Sequence, residues 1–337
     1  MIRARVCVGL LGFAMVSLIF LSLGHPTGRR RNSTGYPPFG RHAILISGSM
    51  RAGAICIPTL LRVFNSSSRI DVFASLAHSR AGVNSSDDIQ TMTYLKSLSN
   101  LRGVRIDDYA SDTIPVEVMD TLHGFPYVNM LSGGSPVNVA LQALHLSKGW
   151  DLVESTLGHS GHEYDLILRT RPDVCFHPNM RIIDLDTVMP DRVSALPGEL
   201  FIPPVNCPLE SVTPSASPLS DRIFIHPLVM PTFDHWGGWN DQIAFGPPQT
   251  MKWYLKYIEK VDEVCGTEGV RFDGENTLKL SILAHARAAT RRTGHQHAVR
   301  LLKLPGFYHG LCRVSDTTCR ESCPPWNTHC LTLNYGN

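Results

Sequence analysis

The chain has 337 residues, 43% of them hydrophobic and 18% charged, with a formal net charge of +2. That length and apolar content suit one α/β domain of roughly 250 residues with appendages, and they argue against a disordered chain. A nearly balanced charge, with no basic stripe after residue 42, argues against a dedicated nucleic-acid binder.

Residues 1–5 precede an uncharged run from Val6 to Gly24 (VCVGLLGFAMVSLIFLSLG), long enough for a helix across roughly 30 Å of hydrocarbon. Ser22-Leu23-Gly24 offers the small residues that a signal peptidase accepts, but the apolar run exceeds the roughly 7–15 residues of a usual signal-peptide core. The expectation is an uncleaved signal anchor over 6–24 with a cytoplasmic tail at 1–5. Arginines lie before the run (Arg3, Arg5) and after it (Arg29, Arg30, Arg31), so charge bias does not set orientation. Three acceptor sequons at Asn32, Asn65 and Asn84 suit glycosylation in a secretory lumen. Cysteine usage agrees. Cys312, Cys319, Cys323 and Cys330 crowd a Pro-containing tail over 311–337, which reads as disulfide-tied. A zinc site is the alternative, although six, three and six residues between successive cysteines do not match paired Cys-x-x-Cys knuckles. Together these features place the domain in the lumen of the Golgi or endoplasmic reticulum, as a single-pass type II membrane protein.

Residues 25–41 are a Pro-, Gly- and Arg-rich stem. The folded domain is expected over 42–310. It opens with a strand at His42 to Ser47, a glycine-bearing loop from Gly48 to Gly53 and a helix from Ala54 to Phe64, the start of an α/β domain. Further strands are expected at Ile70 to Leu76 and Val104 to Tyr109, with a loop from Ala77 to Ser86 between them. A long helix from Pro136 to about Leu157, interrupted near Gly149, then feeds a strand at Asp165. The alternation predicts a mostly parallel sheet.

That last strand carries the densest chemistry. In Tyr164-Asp165-Leu166-Ile167-Leu168-Arg169-Thr170-Arg171-Pro172-Asp173 a short apolar run of the parallel-strand kind delivers two arginines and a carboxylate to one loop, and Pro172 ends the ladder. Open α/β sheets bind ligands at that end of their strands. The competing account is a surface turn with an ordinary Arg-Asp ion pair. Residues 203–221 hold five prolines and read as a long loop. Phe233 to Gly246 (FDHWGGWNDQIAFG) combines Trp236 and Trp239 with Asn240, Asp241 and Gln242. These are either a sugar-stacking surface with hydroxyl-binding groups, or core tryptophans with Asp241 as a cap. Thr250 to Val264 reads as a helix whose aromatic stripe is core. Asp273 to Leu283 opens a helix in which Glu275 is either a dipole-favoured cap or a general base. Val299 to Leu304 is strand-like, and His309 follows in a glycine-flanked turn.

Ser47-Gly48-x-x-Arg51, Tyr-Asp-x-x-x-Arg-x-Arg-Pro-Asp at 164–173 and Trp-Asn-Asp-Gln-x-x-x-Gly at 239–246 resemble GT-A-type glycosyltransferases, in particular the WavE-like lipopolysaccharide-synthesis transferases and related membrane-anchored proteins of eukaryotes and their viruses. The resemblance covers most of 42–310 and implies a GT-A-like mixed, mostly parallel sheet flanked by helices. It implies a nucleotide-sugar donor bound by Ser47, Gly48, Arg51, Arg169, Arg171 and Asp173. A glycan or glycoconjugate acceptor would lie on Trp236, Trp239, Asn240 and Gln242, with Asp241 or Glu275 as the base. Asp173 and His309 would be the ligands of Mn²⁺ or Mg²⁺. The chain departs from the pattern at Arg171-Pro172-Asp173, where many such enzymes carry Asp-x-Asp. Either one carboxylate with His309 and the diphosphate holds the ion, or Arg51, Arg169 and Arg171 supply the positive charge directly. Asp173→Asn is expected to abolish donor-dependent transfer and leave the fold intact. The alternative function is a non-catalytic sugar-binding or scaffolding protein of the secretory pathway, distinguished by failure to bind nucleotide.

Overall fold

In chain order the elements are β1 (Arg41–Ser49), α1 (Gly53–Val63), β2 (Phe64–Asn65), β3 (Arg69–Ala77), α2 (Ser86–Ser97), β4 (Leu101–Asp107), α3 (Pro136–Ser160), β5 (Leu166–Thr170), β6 (Val174–Phe176) and β7 (Ile183–Asp184). They continue with β8 (Gly198–Phe201), β9 (Pro214–Ser215), β10 (Ile223–Pro231), β11 (Ile243–Gly246), α4 (Pro248–Leu255), a 3-10 turn (Tyr257–Lys260), α5 (Val261–Cys265), α6 (Gly274–Thr293), β12 (Gln296–Leu304) and β13 (His309–Leu311). This computed structural model describes residues 41–50, 52–66, 69–78, 85–107, 136–160, 164–176, 182–185, 198–203, 214–215, 223–231, 239–265, 274–304 and 309–311. The expected anchor, residues 25–40 of the expected stem and 312–337 of the cysteine tail, together with Arg51, Trp236 and the sequons at Asn32 and Asn84, lie outside them, while Arg41 of the expected stem already belongs to β1. No helix among the described residues is long and apolar enough to cross a membrane.

One nine-stranded sheet organises the chain in the order β4-β3-β1-β5-β11-β10-β12-β8-β9. Pairing is parallel from β4 to β5 and between β10 and β12, while β11 and β8 run against their neighbours. The sheet is therefore mixed, with a parallel half around β1. On β1, Ala43 and Leu45 face one core while Ile44 and Ile46 face the other, as a strand covered on both faces must. The helices α3, α4 and α6 cover the first face; α1 and α2 cover the second.

Several boundaries differ from expectation for identifiable reasons. Helix α3 runs through Gly149 without a break. A Cβ there would lie 2.9 Å from Leu45 Cδ2, so the glycine serves close approach of the helix to β1 and does not interrupt it. Helix α2 falls in a polar stretch with no apolar period. Ser85 caps it by accepting the Asp88 amide at 3.2 Å, and Asp87 and Asp88 occupy its first turn, a start favoured by the helix dipole. The helix expected over 250–264 breaks at Lys256, where the backbone leaves helical dihedrals and the carbonyl accepts from His285 Nε2 at 3.2 Å. Helix α6 extends to Thr293 and stops at Gly294, whose φ of 71° suits glycine. His309 stands in strand β13 and not in a turn.

At the N-terminal ends of the parallel strands, Asp71 is fully buried and accepts from Arg41, Arg69, Arg102 and Tyr164 at 2.8–3.1 Å. Burial raises its pKa, but these four donors together outweigh burial and hold the carboxyl below its ordinary value. The same burial and the Asp71 charge push Tyr164 up to about 12. This hub ties β1, β3, β4 and the entry to β5 together at the end opposite the candidate site.

Candidate functional site

The chain runs outward from β1 to β3 and β4, then crosses back so that β5 pairs on the other side of β1. A crevice forms beyond the carboxyl ends of two strands where the winding reverses in this way. Ser47 and Gly48 lie at the end of β1, and Arg169 to Asp173 at and beyond the end of β5. Gly48 has a φ of 138°, and a Cβ on it would stand 3.3 Å from Pro172 Cδ, so glycine is what lets the two strand ends abut.

Arg169 occupies an interior position of β5 and has no exposed surface. Its Nε donates to Ser47 Oγ at 3.1 Å, and its Nη1 donates to the Asp241 carbonyl and, at 3.5 Å, to the Tyr254 hydroxyl. Its Nη2 has no hydrogen-bond partner among the described residues. Burial pulls the guanidinium below its ordinary pKa, with Tyr254 and Asp241 acting in the other direction. A charged group is thus held by neutral acceptors, an arrangement that favours a nearby anion.

Two residues on, Arg171 grips Asp173. Its Nε and Nη2 each donate at 2.9 Å to a different carboxylate oxygen, a bidentate pair. The Asp173 side chain is 2% exposed and that of Arg171 16%. Burial opposes the charge on Arg171, but Asp173 outweighs it and holds the guanidinium above its ordinary pKa.

The antiparallel strand β11 inserts beside β5 and brings the next segment to the same place. Asn240 Oδ1 accepts the amides of Gln242 at 2.9 Å and Ile243 at 3.0 Å, which turns the chain into β11. The Asn240 carbonyl accepts the Tyr254 hydroxyl at 3.2 Å. Asp241, half-buried, accepts from Gln142 Nε2 of α3 at 2.7 Å on Oδ2. The Trp239 amide donates to the Glu275 carbonyl at 3.0 Å, which fixes the first turn of α6 against this segment. A Cβ on Gly274 would lie 3.4 Å from Asp241 Oδ2, so the start of α6 abuts the Asp241 carboxylate. Burial pushes the hydroxyls of Tyr254 and Tyr257 above the ordinary phenol value, so they stay protonated donors at neutral pH.

Ser47, Gly48, Arg169, Arg171, Asp173, Asp241 and Glu275 are therefore gathered around one strand-end crevice. Trp239 is not a stacking surface: it is 2% exposed and packs edge-on against Phe201 with centroids 5.3 Å apart. Asn240 and Gln242 are buried, and the Asn240 side-chain oxygen and the Gln242 amide are engaged in the turn. The acceptor surface expected on these three residues gives way to a structural corner, because a Trp-Asn pair entering an interior strand is drawn into the core. Gln142, Tyr254 and Tyr257 were not expected in the site. A polar residue three positions after Val139 and four before Leu146, on the apolar stripe of α3, was the available signal for Gln142; the tyrosines carried none, since their rings are core as expected.

A divalent ion does not fit the donor set among the described residues. Both Asp173 oxygens accept from Arg171, and among the described residues no group of three or more His, Cys, Asp or Glu is placed to hold an ion. Strand β13 pairs His309 with Phe176, so its backbone lies three positions beyond Asp173; its side chain lies outside the described residues.

Beside the site, Cys56 of α1 and Cys175 of β6 form a disulfide. It anchors the strand that follows the Arg171–Asp173 turn, and no sequence signal paired these two cysteines.

No protein-family model matches the sequence, and no curated protein matches it. Among solved structures, mouse xyloside xylosyltransferase 1 in its apo form is similar over 76% of this chain and 83% of that one, at 10% identity and a TM-score of 0.32.

Proposed function

We propose that the chain is a glycosyltransferase that moves a sugar from a nucleotide-sugar donor to a hydroxyl of a glycan or glycoconjugate. The observation that carries this reading is the convergence at the β1/β5 crevice. Three segments that resemble GT-A-type enzymes, far apart in the chain, meet through Arg169, which bonds Ser47 on one side and Asp241 on the other. The crevice is chemically polar from end to end. Arg169 and Arg171 form its cationic side, suited to a diphosphate whose negative charge grows as the glycosyl bond breaks. Asp241, and Glu275 whose carbonyl holds the Trp239 amide beside it, are the candidates for its acidic side, where a carboxylate can accept the proton of the attacking hydroxyl. A lumenal setting, with residues 6–24 as the anchor, is supported by the Cys56–Cys175 disulfide, since such bonds persist in oxidising compartments.

The test is release of nucleoside diphosphate from a panel of nucleotide sugars by the full-length chain in detergent, with glycan acceptors supplied. Acceptor-dependent release from one donor, lost in Asp241→Asn or Glu275→Gln, is expected and also decides which carboxylate is the base. Absence of both nucleotide binding and release, by folded protein in every acceptor mixture, would replace this reading with the non-catalytic one.

A further inference from the structure

We propose that the site holds the diphosphate of its ligand without a divalent metal, the Arg171 guanidinium standing in the place of the ion; this rests on the nucleotide-binding reading above. Asp173 is closed to an ion by its partner. A carboxylate that ligates a cation must turn a lone pair toward open space, yet both its oxygens accept from Arg171 at 2.9 Å and the residue is 1% exposed. For an ion to use the Asp173 lone pairs that face Arg171, it would have to displace that guanidinium and leave a half-buried cation beside a dication. Like charge and desolvation both oppose this.

The pair also has what a phosphate site needs. A bidentate partner fixes the plane of the guanidinium in advance, and only Nε and Nη2 face Asp173, so Nη1 is left out of that pairing. A planar guanidinium can present donors to carboxylate and phosphate oxygens at the same time, which a lysine cannot. Behind it, fully buried Arg169 adds a second positive charge. Among the described residues no carboxylate oxygen bonds to it, and its Nη2 has no partner. Fixed cations in a water-poor site perform the charge stabilisation that a metal performs elsewhere, with no reorganisation at the moment of reaction. In this arrangement Asp173 is a positioning residue for Arg171 and not a ligand.

Three measurements on the full-length, metal-stripped chain in detergent test the proposal. Calorimetric titration with UDP, GDP and ADP, in EDTA and again in Mn²⁺, is expected to give one nucleotide whose Kd agrees within about twofold between the two conditions. Electron paramagnetic resonance of Mn²⁺ added to the nucleotide-free chain is expected to show only the free aqueous signal. Arg171→Gln is expected to weaken nucleotide binding at least about tenfold in EDTA, with no recovery in Mn²⁺. Since that variant strands a buried Asp173, the charge-free pair Arg171→Gln with Asp173→Asn serves as the folded control and should show the same loss. Binding at least about tenfold tighter in Mn²⁺ than in EDTA would overturn the metal-free site while leaving the nucleotide reading in place. Binding of none of the nucleotides in either condition, by folded protein, would overturn both.

Discussion

Asp173 shows how a residue's role changes once its neighbours are known. In sequence it is the one carboxylate of a degenerate metal motif; in the structure it is the buried counter-ion of Arg171. Asp173→Asn is therefore expected to destabilise the fold, correcting the expectation that it would leave the fold intact. Removing one member of a buried pair costs about 3–5 kcal/mol, to be read from urea denaturation, while Asp173→Asn combined with Arg171→Gln recovers most of that loss. Gln142 is the counterpart on the acidic side. Its bond to Asp241 is charge-assisted, of the kind that contributes about 1.5–3 kcal/mol. Gln142→Ala should lower kcat about tenfold with donor Kd unchanged, because its strongest bond is to the Asp241 carboxylate and, among the described residues, none of its bonds goes to Arg169 or Arg171. An equal rise in donor Kd would assign Gln142 to the nucleotide instead. The Arg171–Asp173 pairing was legible in the sequence because the partners are two residues apart. Gln142 and Asp241 are 99 apart, and no local pattern joins them.

At the scale of elements, β11 decides the site. It is a four-residue strand, inserted antiparallel between β5 and β10, and its entry turn presents Asp241 to Arg169. Its last residue, Gly246, has a backbone reason to be glycine: a Cβ there would stand 2.8 Å from the Pro227 carbonyl of β10. Backbone cannot rotate away as a side-chain end can. Gly246→Ala is expected to cost about 1–3 kcal/mol of stability, measured by denaturation, and to reduce nucleotide binding because pushing β11 off β10 shifts the Asp241 carbonyl that holds Arg169. Unchanged stability would show that β10 and β11 separate more freely than this contact implies. Gly246 was visible as the end of a motif, but its reason was not, since Pro227 lies on a strand for which the sequence carried no clear period.

The whole molecule is held by features that span it. The Cys56–Cys175 bond closes 119 residues and both partners are buried. In the chain-entropy account a loop near that size contributes about 4–5 kcal/mol. Cys56→Ala with Cys175→Ala should lower the melting temperature and make the further loss caused by reductant smaller than in the wild type. A buried histidine, His145, and a half-buried one, His226, set the response to acid. His145 and His226 are each pushed down to about 4, chiefly by burial, with Asp107 partly offsetting it at His145 and His297 adding to it at His226. A His whose folded pKa lies below its unfolded value binds its proton more readily when unfolded. Stability is then full above about pH 6.5 and falls as the pH drops from there toward 4. Chemical denaturation at pH 7 and pH 5 should show a loss of a few kcal/mol, made smaller by His226→Phe. A flat profile would show that these rings are hydrated.

The sequence alone determined the βα alternation of the first half, the interior strands β1, β3 and β5, the core role of Tyr254 and Tyr257, and the delivery of Arg169, Arg171 and Asp173 to one loop. All of these follow from local signals: apolar period, a short branched run, and a proline that ends a ladder. The tertiary structure decided the rest. It placed Trp239 in the core, joined Asp241 to Gln142 and Arg169, set the start of α6 against β11, bonded Cys56 to Cys175, and occupied Asp173 with Arg171. Each of these but the last depends on strand order and helix packing between segments far apart in the chain, and such pairings are chosen by competition among whole elements for the same buried surface. The Arg171–Asp173 pair needed the fold for a different reason: sequence adjacency allowed the ion pair, but only the fold buries its carboxylate.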